Sequence, residues 1–105
     1  MKLIVVLSIA EYMEQVTKLL HEAGVKRFSS VDITGYKKRN GLSSLNWFGY
    51  TSEDAKTNSV MLFSFAPEEI TDNVVRAINE CNDESKDPFP VHAFVLSVDN
   101  FSKFI

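Results

Sequence analysis

Two strand-then-helix pairs, each followed by a further strand, limit how this chain can fold. Met1 to Leu7 is a run of Val, Ile and Leu that reads as a strand buried on both faces. Ser8 with Glu11 three residues on matches a Ser-x-x-Glu capping box, which predicts a helix start. Met13, Val16, Leu19, Leu20 and Ala23 then share one face at helical spacing, with Glu14, Lys18 and Glu22 elsewhere. Gly24 stands where a left-handed residue ends a helix. From Val25 to Tyr36 Phe28, Ser30, Asp32 and Thr34 alternate with Ser29, Val31, Ile33 and Gly35, which predicts a second strand. Strand character returns from Thr57 to Phe65. Pro67, Glu68 and Glu69 open a second helix with proline and acids in its first turn. Its apolar face is Ile70, Val74, Ala77, Ile78 and Cys81. Asn82 to Pro90 reads as a polar loop and Val91 to Val98 as a fourth strand.

The order is β-α-β-β-α-β. Two interleaved right-handed crossovers of this kind give an α+β, ferredoxin-like sandwich: an antiparallel sheet with both helices on one face. The other sheet face still carries apolar residues, which predicts association of copies through the sheet. A chain of 105 residues holds one core, so residues 1–105 are expected to form a single domain. No apolar run approaches the roughly 18 residues of a membrane-spanning helix. The short Leu3 to Leu7 run lacks a cleavage site and does not read as a secretory signal. A net charge of −3 gives no electrostatic case for nucleic acid. A single cysteine forms no internal disulfide, so a cytoplasmic location is expected.

Residues 37–56 break the pattern. They have no periodicity, and a segment of this length without structure inside a compact domain is uncommon unless it is functional or disordered. Lys37, Lys38 and Arg39 stand together at its start. They either hold an anion such as phosphate or bicarbonate at a cleft mouth, or form a solvated strand edge. Leu45, Trp47, Phe48 and Tyr50 cluster apolar and aromatic side chains in a segment expected to be wet. They read as a docking tip for a protein partner, or as rings folded back onto the assembly. His21 and His92 are the only histidines, and no paired His or Cys spacing supports a tight metal site. His21 near a helix C-terminus reads as a favourable charge on the dipole. Cys81 reads as a buried structural thiol. No Ser-His-Asp order, reactive Cys-His pair or phosphate fingerprint marks an enzyme.

Several of these stretches resemble PII signalling proteins. They are Lys2-Leu3-Ile4-Val5-Val6, Leu19-Leu20-His21-Glu22-Ala23-Gly24-Val25, Val31-Asp32-Ile33-Thr34-Gly35-Tyr36, Pro67-Glu68-Glu69 and Phe94-Val95-Leu96-Ser97-Val98. The long segment 37–56 occupies the place of that family's flexible T-loop. The resemblance implies a homotrimer with ligand clefts between subunits, a small-molecule effector, and a protein target reached through the loop, such as a membrane transporter. It implies that Ser29 lies near an adenine, that Gly35 closes the second strand, and that Lys37, Lys38 and Arg39 flank a nucleotide. Lys103 falls where a C-terminal arginine reaches phosphates, and His92 where the family has a lysine. The usual glycine-rich phosphate loop is absent: Lys86-Asp87-Pro88-Phe89-Pro90 stands there, and its prolines remove two N–H donors. The ligand implied is an adenine nucleotide or bicarbonate. Tyr50 lacks the family's modification motif, so uridylylation is not expected. The rival readings are a CutA-like trimeric metal-binding protein and a small ferredoxin-like enzyme.

Overall fold

The computed structural model describes residues 1–36, 56–85 and 89–102. Strand β1 (Lys2–Ile9) leads through a 3₁₀ turn (Ala10–Tyr12) into helix α1 (Met13–Ala23). Strands β2 (Ser29–Tyr36) and β3 (Lys56–Ala66) follow, then helix α2 (Glu68–Ser85) and strand β4 (His92–Ser97). All pairings are antiparallel and the strand order is β2-β3-β1-β4. The two long crossovers through α1 and α2 produce this interleaving, and the ferredoxin-like expectation holds.

Period-two alternation sorts the side chains of the two central strands. Ile4, Val6, Val60, Leu62 and Ala66 face the helices and form one core with Val16 and Leu20 of α1 and Val74 and Ile78 of α2. Ser8 and Ser64 share this inner face and are buried as well. Ser64 Oγ donates to the Arg27 carbonyl at 2.5 Å, which satisfies a buried hydroxyl and ties β3 to the chain before β2.

Helix α1 ends as its glycine predicts. Gly24 has φ 108° and ψ 5°. Its N–H donates to His21 O at 3.1 Å, and Val25 N–H to Leu20 O at 3.0 Å. This pair of bonds is a Schellman motif, and Val25 and Leu20 bury the accompanying apolar contact. Val25 is therefore drawn into the core, and β2 starts at Ser29 instead of at Val25.

Two other boundaries differ from the sequence reading. Ser8 does not cap a helix. It lies inside β1 opposite Val60, is buried, and donates its hydroxyl to Ile9 O at 3.0 Å. Ladder pairing thus takes the residue that local grammar assigns to a cap, and a 3₁₀ turn starts the helix without a side-chain cap. Helix α2 runs to Ser85, so Asn82 is helical and not the first loop residue. Its amide donates to Val91 O at 2.8 Å and accepts from Val91 N–H at 2.9 Å, fixing the chain just before β4.

The face of the sheet away from the helices is apolar in rows across the strands. Leu3 lies between Phe65 and Leu96; Val5 lies between Phe63 and Phe94; Leu7 lies between Met61 and His92. Phe65 is 44% exposed, Leu96 48% and Val31 44%. Neither helix covers these side chains, because both pack on the opposite face.

Candidate functional site

A cavity of about 610 Å³ opens where β2 begins and β3 ends. Its walls include Arg27, Phe28 and Ser29 on the approach to β2, Phe63 and Phe65 on β3, and Phe101 from the segment after β4. These residues come together for simple reasons. Ser29 pairs directly with Phe63 across the β2–β3 ladder. Phe65 lies two residues further along β3, on the same face. Val98 N–H donates to Met1 O at 3.3 Å, which leads the C-terminal segment past the start of β1 toward the cavity mouth. Phe28 packs from the other side against the core, with its ring centroid 5.4 Å from that of His21.

Of the site residues expected from sequence, Ser29 lies in this cavity. Gly35 is at the far end of β2, buried and paired with Thr57, about 20 Å from Ser29 along an extended strand. His92 begins β4, paired with Leu7, half-buried and with Nε2 out of contact with solvent. β2 and β4 are opposite edges of the sheet, three strand spacings or about 14 Å apart. One chain therefore does not bring Ser29, Gly35 and His92 into one site. Lys37, Lys38, Arg39, Leu45, Trp47, Phe48, Tyr50 and Lys103 lie outside the described residues, as do Lys86 to Pro88 of the loop before β4.

The aromatic walls were missed in the sequence reading. Phe63 and Phe65 stand out as two phenylalanines at strand spacing on the face opposite Leu62 and Ser64, but their meeting with Phe101 requires the fold. Elsewhere, a shallow groove between the helices carries Glu22, Glu80 and Glu84. Cys81 lies beside it, half-buried instead of buried as expected, and accepts a hydrogen bond from Gln15 Nε2 at 3.6 Å. Among the described residues, no group of three or more His, Cys, Asp or Glu side chains is placed to hold a metal ion. No helix among them is long and apolar enough to cross a membrane.

The family model of the nitrogen regulatory protein P-II matches residues 1–104. This chain belongs to the P-II family. Solved structures of PII-like proteins share its fold. CPII, a nitrogen regulatory PII-like protein from Thiomonas intermedia K12, bound to ADP, AMP and bicarbonate, superposes with a TM-score of 0.66. The two are 17% identical, over 98% of this chain and 94% of that one. CPII bound to ADP, AMP and acetate gives a TM-score of 0.60 at 22% identity, over 90% of this chain and 82% of that one. A PII-like signalling protein from Thermus thermophilus gives 0.57 at 19% identity, with 90% and 82% covered. No curated protein matches the chain in sequence. The P-II family is one of nitrogen regulatory proteins, so membership makes this chain a regulatory protein.

Proposed function

We propose that this P-II family member is a cytoplasmic, trimeric regulator and not an enzyme. It binds an adenine nucleotide, alone or with bicarbonate, in clefts between subunits. It signals through residues 37–56 to a protein target, with a membrane transporter as the class the resemblance implies. The observation that carries this reading is the position of the Ser29 cavity beside an apolar sheet face that neither helix covers. Phe63 and Phe65 belong to both. An assembly that buries that face sets a second copy against the cavity rim. The separation of Ser29 and His92 at opposite sheet edges fits a site completed between copies. The bound ADP, AMP and bicarbonate of CPII support the ligand class. Lys37, Lys38, Arg39, His92 and Lys103 would supply ligand charge; Leu45, Trp47, Phe48 and Tyr50 would contact the target.

The test is light-scattering mass together with a thermal-shift screen against ATP, ADP, AMP, cyclic AMP, bicarbonate and divalent metals. A trimer stabilised by an adenine nucleotide is expected. A ligand at 100 times its dissociation constant stabilises the folded state by about 2.7 kcal/mol, which such a screen reads easily. A monomer, or a trimer that responds to none of the nucleotides, refutes the reading.

A further inference from the structure

We infer that His92 makes assembly through the apolar sheet face proton-sensitive: copies of this chain join there with the imidazole neutral and separate as acid charges it. This rests on the assembly reading above and adds its regulation.

The strand register decides which side chains share that face. His92, Phe94 and Leu96 of β4 alternate to the side away from the helices, opposite Leu7, Val5 and Leu3 of β1. Met61 of β3 and Val31 of β2 continue the row that His92 and Leu7 begin. Among the described strand residues on this face, His92 is the only titratable one. The others carry aliphatic, aromatic, thioether or hydroxyl groups, or are glycine. Lys2 and Asp32 fall on the helix side by the same alternation. The His92 ring is half-buried in the single chain, so a second copy laid over the row takes it further out of water.

The charges around His92 stand elsewhere. β1 presents Leu7 across the ladder, with Met61 and Val31 beyond it. Helix α2 packs on the opposite face of the sheet, and its last turns carry Glu80, Asp83 and Glu84 there. Lys86 and Asp87, in the loop before β4, lie outside the described residues. Among described residues, a second copy that applies the same face brings one titratable side chain, its own His92. Burial disfavours the charged imidazole, and a like charge nearby disfavours it again. An imidazole changes charge between about pH 5 and 8. The assembled state therefore favours the neutral ring and dissociation takes up protons. Association is strongest above this range and weakens as pH falls through it. His21, the other histidine, lies in the last turn of α1 on the helix side and supplies a control.

The test is light-scattering mass over a series of protomer concentrations at about pH 8 and about pH 5.5, with circular dichroism recording the fold. A bound anion would offset the charge on His92, so the full chain is measured free of nucleotide and bicarbonate. The concentration for half-assembly should rise about tenfold or more at the lower pH, because each proton taken up raises the dissociation constant by up to about tenfold per pH unit. His92→Gln and His92→Leu keep the position neutral and should stay assembled at both pH values. His21→Gln should dissociate in acid as the wild type does. Wild-type protein equally assembled at both pH values overturns the inference and leaves the assembly reading standing. Acid dissociation of His92→Gln and His92→Leu equal to that of the wild type, with or without loss of fold, overturns it as well. If neither variant assembles at the higher pH, the ring is needed for packing and the inference is overturned. Wild-type protein that is monomeric throughout refutes the assembly reading and this inference together.

Discussion

Replacing Gly24 by alanine isolates the local geometry that turns the chain from α1 toward β2. The residue sits at φ 108° and ψ 5°, where an L side chain is strained. Left-handed backbone costs a non-glycine residue roughly 1–2 kcal/mol. A smaller unfolded-state entropy offsets this by about 0.4–1 kcal/mol. The added Cβ would also lie 2.7 Å from Ile70 Cδ1, the far end of a side chain on α2. Moving that methyl off its rotamer costs about 0.5–1.5 kcal/mol. The sum is a loss of about 2 kcal/mol. With a urea slope of about 2 kcal/mol/M, the midpoint should fall by about 1 M at unchanged slope. The measurement is urea unfolding by far-ultraviolet circular dichroism, at one fixed protomer concentration because assembly adds to apparent stability. Ile70→Val removes the methyl that the new Cβ meets. In that background Gly24→Ala should cost about 1 kcal/mol less, a coupling that the double-mutant cycle reads directly. Gly24→Asn keeps the clash but tolerates the torsion, and should fall between glycine and alanine. A Gly24→Ala protein within about 0.3 kcal/mol of the parent, or a cycle with no coupling to Ile70, would falsify this account.

The core, the helix-to-strand link, the bare sheet face and the loop each give a further test. Leu62→Ala, at a site with 0% exposure on a central strand, should destabilise by about 3–5 kcal/mol in the same assay. Asn82→Ala removes both bonds to the Val91 backbone and should cost about 2 kcal/mol, with faster amide exchange at Val91 as the local readout. Leu96→Glu places a charge on the uncovered sheet face. It should lower the light-scattering mass to that of a monomer with the circular dichroism spectrum retained, and an unchanged mass would remove this face from the interface. Trp47 is the single tryptophan, so its fluorescence should change when an adenine nucleotide binds, and an unresponsive emission would count against signalling through residues 37–56.

Much of the architecture is legible in local pattern. The alternation in β2, the helical spacing of Val16 and Leu20, and the proline-acid start of α2 each report an element through short-range sterics and periodicity. Gly24 reports its own torsion. What local pattern misassigned are residues with two competing partners. Ser8 could cap a helix or pair in a strand, and the ladder opposite Val60 prevailed because β3 stays paired with β1 through Ile9, one residue beyond it. Asn82 looks like a loop residue until its reach to Val91, nine positions on, gives it a reason to be helical.

The candidate site divides in the same way. Ser29 was visible through family resemblance, and the apolar outer face through strand alternation. The aromatic cavity was not, because Phe28, Phe63, Phe65 and Phe101 come from three segments that meet only when strand order and the C-terminal path are known. Elements, their order and the family follow from the linear chain, since each depends on interactions within a few residues or on a motif in line. Which rings share a cavity, and the placing of Ser29 and His92 on opposite edges, were settled by the three-dimensional arrangement. Those facts depend on how distant strands pair, which local periodicity does not encode.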